Sequence, residues 1–379
     1  MLRCTALAVL TFAVLSVSAA VETPWLDPVG AERSGWQSRL VAADRIEFAV
    51  DPQQPSALRV LVFAGKRSPS YDAALSRVCR DFAAAGLRPD ITALLVPQRD
   101  PVAAGRKVLA ERYDLALAVG SEALQVAHEH LRGDARPVVA LVCKDPFRLG
   151  YLDNPSRGGG ANLAYTSLNV DPELQLEWLR RIDPELRAVA VLYDQTRDLI
   201  VRAEVAPMIH AYRMRGLTVV PVPVDGAQVA KHITPAMEAA RSELQVQDPQ
   251  LAHTVWWISS CTSLFSQVEA INAAAAGAPV ISENPALVTA SSGTGAHSAA
   301  IAIGIDRASN AHIAARYAIA ILRDGVDPGS LPLGVPNPPD IAINLQRTRA
   351  LGMQLPLALL EAANVVYGPD GQLVRGAQH

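Results

Sequence analysis

The chain has 379 residues, 50% hydrophobic and 19% charged, enough apolar material for packed cores and unlike disorder. Lys and Arg number 34 against 37 Asp and Glu, so no basic excess points to nucleic acid. Past residue 20 the cysteines are Cys79, Cys143 and Cys261, an odd and widely spaced set without a paired metal motif. They read as buried thiols.

Arg3, the apolar run Ala6–Val17 and the small residues Val17-Ser18-Ala19-Ala20 predict a cleaved export signal over 1–20. The run falls short of the roughly 20 residues that span a bilayer. Cys4 precedes it, so a soluble periplasmic product is expected rather than a lipoprotein. Residues 21–57, rich in Pro, Trp and charge, predict an extended segment lying on the first lobe.

Regular structure begins at Leu58–Phe63, an apolar run typical of a strand buried on both faces. A helix over Asp72–Ala85 carries Leu75, Val78, Cys79 and Phe82 on one stripe and stops at Gly86. Ile91–Val96, Leu115–Val119 and Pro137–Val142 predict further strands, with helices around Val102–Arg112 and Ser121–Leu131. After the Gly-rich break within Arg148–Asn169 comes a helix at Asp171–Ile182. Later strands fall at Ala188–Tyr193, Leu217–Val222, Thr254–Ile258, Pro279–Ser282 and Ile301–Ile305, with helices near Ile200–Arg215, Ala227–Gln245, Leu264–Ala276 and Ala308–Arg323. Arg187–Gly216 repeats the strand–loop–helix order of Arg59–Gly86. The alternation predicts an α/β protein with two lobes of parallel sheet. Irregular stretches near 148–169, 291–298 and 328–339 predict three crossings between lobes. The expected division is 58–150 plus 290–326 for lobe 1, 165–285 plus 330–367 for lobe 2, 151–164 for the first crossing and 368–379 for a tail.

Ligands of open α/β sheets lie beyond the carboxyl ends of the strands, where helix N-termini offer free N–H groups. Those loops nominate Ser68, Tyr71, Gly120, Ser121 and Glu122 on one lobe, and Asp194, Thr196, Ser259, Ser260, Thr262, Glu283 and Asn284 on the other. Ser68 and Asp194 open the loops expected to face each other. Each hydroxyl serves equally well as a helix cap, and Glu283 is the candidate for meeting an amine or hydroxyl. Of Trp256 and Trp257, adjacent on a strand, at least one faces the core. His128 and His130 are two apart on a helix and expected to be solvent-exposed; without a third ligand they predict no metal site. His297 has no recognisable nucleophile beside it, and Gly158–Gly160 lacks the context of a nucleotide loop. Neither a catalytic constellation nor a cofactor is expected.

The strand ends Val189–Asp194, Ala278–Glu283 and Ile303–Asp306, and the tail Ile341–Pro356, resemble ABC-transporter substrate-binding proteins of the tryptophan/tyrosine-uptake type. Leu359-Leu360, Ala363–Tyr367, Asp145-Pro146 and Gly158–Leu163 extend the likeness, which spans roughly Arg59 to Tyr367. It implies a type I periplasmic-binding fold with Asp306 at the hinge. It also implies capture of a small organic ligand and delivery to a membrane permease with a cytoplasmic ATPase; a monomer is expected. The sequence departs from the family at Ser259–Ser263, where an acidic-amide turn is usual, and at Arg307-Ala308, where an aromatic pair is frequent. Amino acid, other metabolite and lipid therefore stay open as ligands, and a sensor module for a membrane receptor is the alternative role.

Overall fold

The computed structural model describes residues 28–376 except 98, 291 and 292; the export signal expected over 1–20 lies outside them. Seven strands form the first sheet: β1 (Gln37–Ala42), β2 (Arg45–Ala49), β3 (Arg59–Ala64), β4 (Asp90–Leu95), β5 (Leu115–Val119), β6 (Val138–Leu141) and β7 (Leu163–Tyr165). They are ordered β1-β2-β4-β3-β5-β6-β7. From β4 to β7 the pairing is parallel, and β3, β5 and β6 are buried almost throughout because helices cover both faces.

The second sheet holds eight strands: β8 (Ala188–Asp194), β9 (Thr218–Val224), β10 (Thr254–Ile258), β11 (Val280–Ser282), β12 (Ile301–Gly304), β13 (Asp340–Asn344), β14 (Val365–Tyr367) and β15 (Leu373–Arg375). Their order is β15-β14-β13-β12-β11-β10-β8-β9. Trp256 and Trp257 on β10 are both fully buried, one on each face. Each lobe thus contains five parallel strands whose first lies between the second and the third, the arrangement that opens a crevice at the point where strand order reverses.

Several boundaries differ from those the sequence suggests. Residues 28–49 are not extended: a helix at Pro28–Arg33 leads into the β1–β2 hairpin, which pairs antiparallel with β4. The Trp36 indole beside it is buried and donates to the Pro89 carbonyl at 2.9 Å. The strand at Leu163–Tyr165 continues the first sheet, so the first crossing begins at 166 rather than 151. Within 290–326 only the helix Arg307–Asp324 belongs to lobe 1, where it packs on the helix Pro69–Ala84. Strand β12 pairs with β11 and β13 and therefore belongs to lobe 2. Residues 330–334 remain on lobe 1, with Gly334 bridged to Thr166, and the final residues include β15.

Candidate functional site

The loops at the carboxyl ends of β3, β5 and β6 face those after β8 and β10 across a cavity of about 390 Å³. Lobe 1 contributes Lys66, Ser68, Tyr71, Ser121, Glu122 and Lys144; lobe 2 contributes Thr196, Arg197, Asp198, Ser260 and Thr262. Arg307, at the start of the helix that returns to lobe 1, also lines the cavity. The helix Pro69–Ala84 begins at Ser68 without a side-chain cap. Pro69 has no N–H and the Tyr71 and Asp72 amides donate to the Ser68 carbonyl, which leaves the Ser70 N–H for another acceptor.

Seven of the residues nominated from sequence line this cavity: Ser68, Tyr71, Ser121, Glu122, Thr196, Ser260 and Thr262. Tyr71 is buried, and burial, then the nearby Glu122 carboxylate, push its phenol well above the usual range. The Ser121 hydroxyl accepts from the Lys144 amide at 3.0 Å and so shapes the neighbouring loop.

The other five stand behind the wall. Gly120, at φ 93°, lies so close to the Tyr71 hydroxyl that a Cβ would fall 2.1 Å from it; its close approach is to this side chain. Asp194 is buried and accepts from the Thr196 amide at 3.0 Å and its hydroxyl at 2.6 Å, closing its own turn. Ser259 is fully buried beside the Cys261 sulfur. Asn284 caps the turn Pro285–Leu287 and accepts from Arg307 Nη1. Glu283 does not present its carboxylate to the cavity: Oε1 accepts from Lys144 Nζ at 2.7 Å.

Sequence reasoning missed Lys66, Arg197, Asp198, Arg307 and, most consequentially, Lys144, although Lys144 comes three residues after β6 and the strand-end rule covers it. Its ammonium, buried, also donates to Glu204 Oε2, and Glu204 Oε1 accepts from the Ser260 amide at 2.9 Å. Burial works against the Lys144 charge, but the two carboxylates outweigh it and hold its pKa above the ordinary lysine value. Glu204 is displaced upward, chiefly by burial and next by Glu283. A second bridge between lobes joins Arg197 Nη2 to Glu122 Oε1 at 2.5 Å. Burial opposes ionisation of Glu122, yet Lys66 and Arg197 hold it below the usual carboxylate range. Burial lowers the pKa of both Lys66 and Arg307.

Asp306 sits where β12 passes to the helix Arg307–Asp324, accepting from the amides of Ala308 at 2.7 Å and Ser309 at 3.3 Å. His128 departs from expectation. It is half-buried, stacked on Tyr151 with ring centroids 4.2 Å apart, and its Nδ1 is 3.2 Å from the Tyr165 hydroxyl. His297 pairs with Glu269 on the surface. The three described cysteines are free and buried, with Cys79 pushed up to about 12 by burial. Among the described residues no three His, Cys, Asp or Glu side chains are grouped to hold a metal, and no helix is long and apolar enough to cross a membrane.

Two lobes of parallel sheet meeting at a polar crevice define a class of proteins that bind small solutes between domains. The chain belongs to the ABC transporter substrate binding protein family, whose model matches residues 95–367. That family comprises substrate-binding proteins, not enzymes. Among solved structures, a conserved domain protein from Vibrio cholerae is similar at TM-score 0.63 and 21% identity, covering 82% of this chain and all of its own. The ABC domain from Streptococcus pneumonia in complex with L-Trp is similar at TM-score 0.63 and 17% identity, with the same coverage. The ligand-free, open structure of a substrate binding protein with adhesive properties from Clostridium difficile reaches TM-score 0.60 at 18% identity, covering 85% of this chain and all of its own. These likenesses show the fold. No curated protein matches the chain in sequence.

Proposed function

We propose that this substrate-binding protein works outside the cytoplasm, exported by its N-terminal signal, and closes on one small polar organic molecule that it hands to a membrane permease driven by a cytoplasmic ATPase. The observation that carries this reading is the cleft. It is walled by hydroxyls and charges from both lobes, and about 390 Å³ suits a metabolite of modest size. Ser68, Tyr71, Ser121, Glu122, Thr196, Ser260 and Thr262 are the proposed contacts, and Asp306 the proposed hinge. The polar wall weighs against a lipid, which would need a longer apolar cavity.

Binding energy would favour the closed arrangement, the form a permease would recognise. Native mass spectrometry of the protein purified from the cells that make it should reveal a co-purifying small molecule. Adding that molecule to stripped protein should reduce the radius of gyration in X-ray scattering. A protein that carries no ligand and compacts with none of a broad metabolite panel would refute capture.

A further inference from the structure

Two carboxylates of lobe 2, Glu204 and Glu283, converge on Lys144 just behind the floor of the cleft, and both are almost fully buried. Buried carboxylates demand a cationic partner. A cleft built this way would ordinarily call for a ligand with an ammonium group.

Here the chain supplies the cation itself. Lys144 reaches over from lobe 1, lines the cavity and places its ammonium on both carboxylates. The remaining Glu204 oxygen is already taken by the Ser260 amide. Above this floor stand Lys66 and Arg307, neither in an ion pair with a described residue. Arg307 spends Nη1 on the neutral Asn284 amide, and its Nε is buried without a hydrogen-bond partner. Glu122, the acid nearest Lys66, is also engaged by Arg197. Asp198, the remaining acid of the lining, is exposed and lies 3.6 Å from Arg202, so the acids near the ligand space are engaged from within the protein, while cations and hydroxyls remain to meet a ligand.

We propose that Lys144 stands in for a ligand amine, so that the cleft selects compact organic acids lacking an amino group and meets the acid with Lys66 and Arg307. This rests on the proposed capture of a small polar molecule and adds the substrate class to it.

The test is titration calorimetry on the full mature chain, stripped of ligand, with hydroxy and amino acids of matched skeleton: lactate with alanine, malate with aspartate, phenyllactate with phenylalanine. In every pair that binds, the hydroxy acid should be at least about tenfold tighter. Replacing Lys144→Met together with Glu204→Gln leaves Glu283 alone to meet an ammonium, and should shift the ratio towards the amino acid by about tenfold or more. Arg307→Gln should weaken the acids by a similar factor. Wild-type protein that binds the amino acid as tightly as its partner would overturn the proposal, and this comparison needs no variant to fold. If no member of any pair binds but glucose or adenosine compacts the protein, the acid assignment fails and capture stands. If none of these probes binds or compacts it, the acid assignment fails, and capture is then judged by the co-purifying molecule.

Discussion

Val142 is β-branched yet holds φ at 53°, a conformation that costs strain and persists only where its surroundings enforce it. Its amide donates to Asn310 Oδ1 at 2.8 Å. Asn310 is fully buried; the same oxygen accepts from the Thr166 hydroxyl at 3.0 Å, and Nδ2 donates to the Ser167 carbonyl at 2.9 Å. One side chain thus ties the end of β6 to the first crossing and aims the loop that carries Lys144. Asn310→Leu would strand a buried amide and a carbonyl, so a loss of about 2–4 kcal/mol is expected in urea unfolding, with weaker ligand binding. An unaltered midpoint would show that the loop holds its shape without this strap. At this scale the sequence exposes part of the site. The strand-end rule reaches Ser68, Ser121, Thr196 and Ser260 because their place depends on local order alone. It misassigns Glu283, whose partner Lys144 lies 139 residues away and is brought near only by the meeting of the lobes.

The junction between β12 and the helix Arg307–Asp324 shows the same limit among elements. Apolar Ile301–Gly304 announces a buried strand, but its sheet is chosen by its neighbours β11 and β13. The β1–β2 hairpin is hidden in the sequence because Leu40 and Val41 are both exposed at the sheet edge, so no clean alternation marks the strand. The central parallel strands are legible because burial on both faces leaves continuous apolar runs. Asp306, capping the junction helix, should cost about 1 kcal/mol of stability when changed to Ala, read from chemical unfolding. Gly304→Ala should cost more, because its Cβ would fall 1.5 Å from the Glu283 carbonyl oxygen and force β12 from β11. A Gly304→Ala protein as stable as Asp306→Ala would mean that the sheet gives way cheaply there.

The two lobes meet through Lys144 with Glu204 and Glu283, Glu122 with Arg197, and Arg148 Nη1 with the Ala203 carbonyl at 3.1 Å. Burying the first of these groups costs desolvation that the ion pairing must offset, so the protonation of the group bears on closure. Its pH dependence has a definite sign. Burial, and then the Glu283 charge, raise the Glu204 pKa above the ordinary 4.5 where Lys144 bridges the lobes. Opening would relieve the burial, the largest cause, and withdraw Lys144, a smaller opposing one, while Glu283 stays beside Glu204 on lobe 2, so the pKa would fall back towards 4.5. The closed form therefore holds a proton that the open form releases, and closing becomes less favourable as pH climbs above 4.5. Lys144 acts in the same direction only above its ordinary 10.5, since its pKa too is raised on closing. Arg307 and Asp306 complete the charges around the floor. Scattering from about pH 5 to about pH 9 should show the wild-type radius of gyration increasing, while Glu204→Gln, with no proton to exchange, stays flat. A wild-type protein that compacts on alkalinisation, or a variant that expands as the wild type does, would remove Glu204 from the closing equilibrium.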